Sequence, residues 1–391
     1  MKKRLCIPLV LLMACMLFGF AAAEEMVTLE SGLPELLYYK CTLPDGRLLL
    51  SGVGTVPGGD FPAALLRCLN PDRTVSWEWA DSGWARAGRA AVIRAGTVAV
   101  VLDHHTDGCA VRFFTQDGKP TGKELAIPDR YSEIWEMAPS FMMMLDKDSD
   151  SYHTDLLDWD GRLIIGYDGV GMPGSFGFPV QDADELTLWG QADNYHVAMV
   201  KMDALTGEAL WNTVVDFQVP GMDRAWPVDA VKTGDGGYAG WMEETRSPLN
   251  DEKYQVLVKL DTEGRVLWGK WKEFERETVC GIKAYNGRIV VFCVPEGTDR
   301  NQMDTPKIFH WFDEGGTDLG TTELKIAPDK FPLVHRCLES DPEAVPLFTL
   351  NMPMFAMPDG LWVLADCAAG NRDGGYSSGE AEIVLIRIPE P

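Results

Sequence analysis

The chain has no C-x-x-C pair, no two adjacent cysteines, no G-x-S-x-G, no phosphate-binding loop and no G-x-G-x-x-G between a strand and a helix. These absences remove motif-borne zinc and dithiol sites, the serine-hydrolase elbow, and nucleotide-phosphate and dinucleotide cradles. Apolar runs that hold a 3.6-residue period for three turns are few, while 39 Gly and 24 Pro are spread along 391 residues. A helical body is excluded on that ground. No Lys- and Ser-rich linker divides the chain, and beyond the N-terminus no segment reaches the roughly 20 apolar residues of a membrane span. Basic residues are also scarce: 35 Lys and Arg stand against 59 Asp and Glu, a net charge of −24. Such a field repels nucleic acid and anionic lipid, and suits a cation or a basic partner.

What the sequence has is a repeated sentence: an apolar strand, a Gly turn, a second strand, a gap, and a third strand that ends in Asp-x-x-Gly and an aromatic. Its clearest copy is "VDAVKTGDGGYAGWMEETRSPLNDEKYQVLVKLDTEGRVLW", from Val228 to Trp268. The Asp-x-x-Gly element recurs at Asn70, Asp117, Asp160, Asp203, Asp261 and Asp313, at intervals of 43 to 58 residues. The Gly-turn hairpin recurs in phase, at Asp45-Gly46, Ala95-Gly96, Asp184-Glu185, Gly236-Gly237, Asn286-Gly287 and Asp359-Gly360, with a degenerate copy at Ala138-Pro139. Such a unit cannot bury its two faces alone and must stack on copies of itself. A period of roughly 40 to 50 residues is that of a four-stranded blade. The expected fold is therefore all-β: a seven-bladed β-propeller of four-stranded antiparallel blades, with its surplus length in one insertion at 319–355.

The N-terminus predicts export. Lys2, Lys3 and Arg4 precede an apolar stretch at 5–20, and Ala21-Ala22-Ala23 supplies small residues before Glu24. This gives a signal peptide at 1–23 and a single propeller domain at 24–391. Leu12-Met13-Ala14-Cys15 approximates a lipobox, but Met16, Leu17 and Phe18 keep the following residues apolar, which argues against anchoring at Cys15. Seven cysteines remain after cleavage: Cys41, Cys68, Cys109, Cys280, Cys293, Cys337 and Cys367. Most sit in apolar strand runs, where a thiol behaves as a small hydrophobe. In "VCGIKAYNGRIVVFC" a two-residue turn at Asn286-Gly287 would set Cys280 opposite Cys293, close enough for a disulfide.

Within each unit the tight turns belong to one end of the blade, and the second-to-third strand gaps and blade links to the other. Asp107, Asp148, Asn250, Arg300 and Arg372 are expected at the loop-rich end, and Asp45, Asp117, Gly236, Gly264 and Gly287 at the tight end. Length variation on one face of a rigid scaffold marks that face for binding. Its candidate chemistry is sparse. Asp146, Asp148 and Asp150 have the D-x-D-x-D spacing of a calcium loop, but Ser151 stands where such a loop needs Gly and Leu157 where it needs a bidentate Glu. His104 and His105 are adjacent on a loop, an arrangement that seldom aims two imidazoles at one ion. His153, His196, His310 and His335 have no Ser or Cys partner by motif, and Trp211 and Trp268 read as blade-to-blade packing.

"VKMDALTGEALWN" at 200–212 resembles the repeat of the pyrroloquinoline-quinone-like propellers, in which Asp-x-x-Thr-Gly-x-x-x-Trp ends each blade. "DGGYAGW" followed by "VLVKLDTEGRVLW" is similar to a repeat of secreted bacterial propellers. The resemblance implies architecture, and a family with both quinone-dependent dehydrogenases and non-catalytic members. The adjacent Cys-Cys pair associated with quinone alcohol dehydrogenases is missing here, so no cofactor ligand carries over. Sialidase propellers, with Asp-x-Gly-x-Thr-Trp, are a different repeat. The expected function is a secreted, non-enzymatic propeller that binds a protein or glycan through its loop-rich face; the alternative is an extracytoplasmic hydrolase or lyase with loop carboxylates in the central funnel. The segment 26–30 has strand composition and is expected to close the ring against the C-terminal strand.

Overall fold

The computed structural model describes residues 26–29, 36–54, 62–93, 95–104, 108–146, 153–168, 178–182, 185–192, 195–203, 206, 208–246, 253–326, 328–340, 345–370 and 376–391. Seven four-stranded antiparallel sheets form a ring, a seven-bladed β-propeller. Blade 1 comprises Leu36–Thr42, Leu48–Gly54, Ala63–Leu69 and Val75–Asp81. Blades 2 to 6 begin with Arg86–Val92, Tyr131–Met137, Phe178–Asp182, Arg224–Lys232 and Glu277–Tyr285. Blade 7 takes three strands from the C-terminus, Val345–Met357, Gly360–Gly370 and Tyr376–Arg387, and its fourth from the N-terminus, Met26–Leu29. Met26 pairs with Ile386 and Leu29 with Ile383, which is the closure expected of that segment. Pairing the two ends of the described chain removes two open sheet edges.

The hydrophobic core is distributed over seven clusters, one for each junction between neighbouring blades. Leu49, Leu66 and Cys68 of blade 1 meet Val98, Val100 and Phe114 of blade 2. The seventh junction, where Leu29, Trp362 and Leu385 of blade 7 meet Leu37, Leu48 and Leu65 of blade 1, completes the circle. Middle strands are covered on both faces, which is why "AALLRCL" is buried at every position while the fourth strand "VSWEWAD" beside it is largely exposed or half-buried. Strands buried on both faces read as continuous apolar runs rather than as alternation.

The repeat's aromatic and its glycine are partners across blades. Trp211 and Trp268, on the fourth strands of blades 4 and 5, lie over Gly264 and Gly316 in the Asp-x-x-Gly turns of blades 5 and 6. A Cβ on Gly264 would stand 2.8 Å from the Trp211 ring, and the residue has φ +78, so both space and backbone demand glycine. Trp268 Nε1 also donates to the Glu314 carbonyl at 3.0 Å. Trp77 repeats the arrangement on Gly118, with its Nε1 donating to the Gln116 carbonyl at 2.9 Å. The packing expected of Trp211 and Trp268 is thus one half of the repeat's mating surface.

Two expectations need correction. The surplus between blades 6 and 7 is shorter than 319–355, because Asp318–Leu324 is the fourth strand of blade 6 and Val345–Met357 the first of blade 7. The helix Pro332–Ser340 lies between them, and its Val334 is buried in the blade 6–7 core. The second correction is the cysteine pair. Asn286 (φ 50) and Gly287 (φ 71) do form the two-residue turn, and the register runs as expected from Tyr285↔Arg288 to Gly281↔Phe292. A bulge then intervenes, so Cys293 faces Val279 and Cys280 is the extra residue. Cys293 joins the core shared with blade 5 and Cys280 packs on the core shared with blade 7, so the two free thiols lie on opposite faces of one sheet.

Candidate functional site

The tight turns and the long connections separate to opposite ends of the ring, as antiparallel strands require. Asp45, Asp117, Gly236, Gly264 and Gly287 all occupy tight turns. Arg300 lies in the long connection between the second and third strands of blade 6. Asp107, Asp148, Asn250 and Arg372 lie outside the described residues, as do Asp150 and His105. Asp146 ends a blade 3 strand, but the calcium arrangement proposed around it also falls outside them. His104 packs edge-on against Trp84, with ring centroids 5.7 Å apart.

At the loop end, between blades 4 and 5, is a recess of about 110 Å³. Tyr195 and His196 come from the second-to-third strand connection of blade 4, and Val215 to Gln218 from the link into blade 5. Arg224 opens the first strand of blade 5 and Glu244 stands near the end of its second. The wall is tied together by main chain: Ala225 N–H donates to the Tyr195 carbonyl at 3.0 Å. The Arg224 guanidinium sits over the Tyr195 ring, 5.3 Å from its centroid.

Glu244 is the chemical centre of this recess. It is 1% exposed, its Oε2 accepts the Val219 N–H at 2.7 Å, and its Oε1 has no hydrogen-bond partner among the described residues. Desolvation pushes its carboxyl up from 4.5 to about 7, against the stabilising Val219 N–H. Asp216, Gln218, His196 and Arg224 place further donors and acceptors around the same space. A recess with a few convergent polar groups and a carboxyl that titrates near neutrality has the physical marks of a binding or acid–base site.

The sequence reading missed Glu244, although a signal exists. In "YAGWMEET" the buried inward positions Tyr238 and Met242 are followed two residues on by Glu244, an acid in apolar register. A second charged group is a half-buried pair of opposite sign. Asp229 and Lys283 belong to the first strands of blades 5 and 6. Burial raises Asp229 to about 6 and lowers Lys283, with each charge opposing the shift of the other. A third group, Glu277, Cys293 and His310, gathers inside blade 6. Its thiol is fully buried, and burial together with the Glu277 carboxylate pushes it well above the ordinary range, so it is not an activated nucleophile.

No family model and no characterised sequence matches the chain. Solved structures match in fold. A prolyl endopeptidase from a study of two such enzymes aligns with 92% of this chain at 11% identity and a TM-score of 0.50, and the chain spans 51% of that protein. A protein of unknown function from Bacteroides caccae aligns with 73% of the chain and 95% of its own length, at 15% identity and a TM-score of 0.37. A putative TolB from Agrobacterium tumefaciens aligns with 65% of the chain and 85% of its own length, at 12% identity and a TM-score of 0.38. At these identities the likeness is one of fold.

Proposed function

We propose that the chain is an exported, non-enzymatic propeller that binds a protein or glycan ligand at its loop end, with a hydrogen-bond donor of the ligand seated against Glu244. The observation that carries this reading is the unpartnered Oε1 of a buried carboxyl in a mixed polar and aromatic recess. A buried acceptor left without a donor costs free energy, and a ligand that supplies the donor recovers it. Export is supported by the basic and then apolar N-terminus, and the Asp-x-x-Gly and Trp repeat supports the architecture of a PQQ-like propeller. Acidity supports a ligand that is neutral or basic. The hydrolase reading has one observation in its favour: a carboxyl near 7, with Asp216 lining the same recess, has the protonation behaviour of a general acid.

The test is an array of glycans and of basic peptides probed with the wild-type protein, Glu244→Gln, and Lys123→Ala at the tight-turn end. Loss of at least about tenfold in affinity for Glu244→Gln alone supports the reading. An ammonium donor predicts affinity that rises with pH through about 7 as Glu244 ionises, whereas a hydroxyl donor predicts little change. Ligands that bind both variants equally would place binding elsewhere. Cleavage of an array ligand, lost in Glu244→Gln, would establish the enzyme.

A further inference from the structure

Glu277, Cys293 and His310 come from three neighbouring strands of blade 6: Glu277–Tyr285, Arg288–Pro295 and Lys307–Asp313. Register explains their meeting. Val279 pairs with Cys293 and Val291 with His310, and side chains two residues apart share a face, so all three project from the face turned to blade 5. The bulge at Cys280 is what brings Glu277 onto that face, since it shifts the first strand by one residue against Cys293. One ligand atom from each residue lies within 4.8 Å of the others, the one such group of three His, Cys, Asp or Glu among the described residues.

We propose that this group is a zinc site with Cys293 Sγ, His310 Nε2 and one Glu277 carboxylate oxygen as its protein ligands and a water in the fourth position. Donors held 2.0 to 2.3 Å from a tetrahedral Zn²⁺ stand about 3.3 to 3.6 Å from one another, a spacing these side chains reach with small rotations. The His310 Nε2 and Glu277 Oε2 atoms are now 2.6 Å apart and would separate as the cation enters between them. Charge favours the site: one thiolate and one carboxylate neutralise Zn²⁺, so the buried complex carries no net charge. Binding releases the thiol proton to solvent, and the imidazole keeps its remaining proton on Nδ1, which is 3.4 Å from Thr321 Oγ1 and can donate to it.

The surroundings fit the same cation. Cys293 is fully buried and His310 is 8% exposed, with the Phe274 ring edge-on to the imidazole at 5.4 Å. The Glu277 side chain is 19% exposed and gives the group its approach from the loop end. One sulfur, one nitrogen and one oxygen donor suit Zn²⁺; calcium and magnesium take oxygen alone, and Cu(I) favours sulfur-rich sets. The site stands on different residues from the Glu244 recess and does not depend on that reading.

The test uses the full mature chain, stripped with chelator under reducing conditions and titrated with Co²⁺ and then Zn²⁺. The expected result is one equivalent of Co²⁺ bound, with a thiolate-to-cobalt charge-transfer band that Zn²⁺ abolishes. Cys293→Ser should remove the band and His310→Gln should weaken binding strongly, while Cys280→Ser, on the opposite face, should leave both unchanged. Thr321→Val should weaken binding about tenfold, as loss of an imidazole's outer partner does. Should Cys293→Ser fail to fold, zinc-edge X-ray absorption on the wild-type protein decides without it: one sulfur at about 2.3 Å supports the site. A coordination shell without sulfur, a band that survives Cys293→Ser, or no stoichiometric binding overturns it.

Discussion

The two ends of the ring treat their carboxylates in opposite ways. At the tight-turn end, Asp313 accepts the Thr317 N–H at 2.7 Å, and the N–H groups of its own turn hold its carboxyl below the ordinary range. Arg47 does the same for Asp45, in a contact of 2.7 Å. Other aspartates at this end stitch neighbouring blades, as in Arg47–Asp117 at 3.6 Å and Lys123–Asp160 at 2.8 Å. At the loop end, Glu244 has one N–H and a buried second oxygen, and its carboxyl rises to about 7. The same functional group is a structural anion where backbone donors are plentiful and a titrating group where they are scarce. Where function is to be sought in a propeller of this kind follows from that difference.

The comparison can be tested from its strongest element downward. Gly118→Ala should be the most damaging change, because its Cβ would stand 2.4 Å from the Trp77 ring at a residue with φ +78. A loss of about 4 kcal/mol in urea denaturation is expected from strain and overpacking together; a loss below about 1 kcal/mol would mean that the Trp and Gly pairing is not what mates the blades.

Glu244→Gln should act the other way and only with pH. Because the folded-state value is raised from 4.5 to about 7, the folded protein holds its proton more tightly than the unfolded chain, and wild-type stability falls as pH rises between those values. The Gln variant still accepts the Val219 N–H and avoids that loss, so it should be more stable than wild type by up to about 3 kcal/mol at pH 8 and equal to it near pH 4. Parallel pH profiles would remove the contrast between the two ends.

Asp261→Asn probes the opposite sign. Asp261 Oδ1 accepts the N–H groups of Glu263 at 2.8 Å and Arg265 at 3.0 Å, and despite partial desolvation these bonds and Arg265 hold its carboxyl below 3.8. Its contribution is present above that value and is lost as pH falls through the lowered one. The wild-type advantage, below about 1 kcal/mol for a half-buried group at the protein surface, should disappear in acid denaturation curves at low pH. The smallest effect belongs to Lys123→Ala, whose denaturation midpoint should stay close to that of wild type by the same measurement, since its ion pair with Asp160 is exposed and screened.

Much of the architecture was legible because its causes are local. The Asn286-Gly287 turn fixed the blade 6 hairpin through Gly281↔Phe292, and strand composition at 26–30 pointed to the closing strand, Met26–Leu29. The register then slipped at Cys280, and the disulfide expected there was lost with it. A bulge costs little in the sequence and announces itself by no residue type, so five pairs read correctly do not guarantee the sixth. The Glu244 recess was legible only as an acid at an inward position, since its walls come from residues 195–197, 215–218, 224–225, 242 and 244, with no common spacing.

By itself the sequence determined what depends on neighbours within one blade: turn chirality through glycine, burial through apolar runs, and the number of units through the period. Tertiary structure alone decided which charges lost their water and which side chains from different strands came within a ligand's reach. Glu244, Asp229 and the Glu277, Cys293 and His310 group owe their chemistry to desolvation and to cross-strand distance. Both quantities are set by blade-on-blade packing, which brings together residues that no spacing along the chain relates.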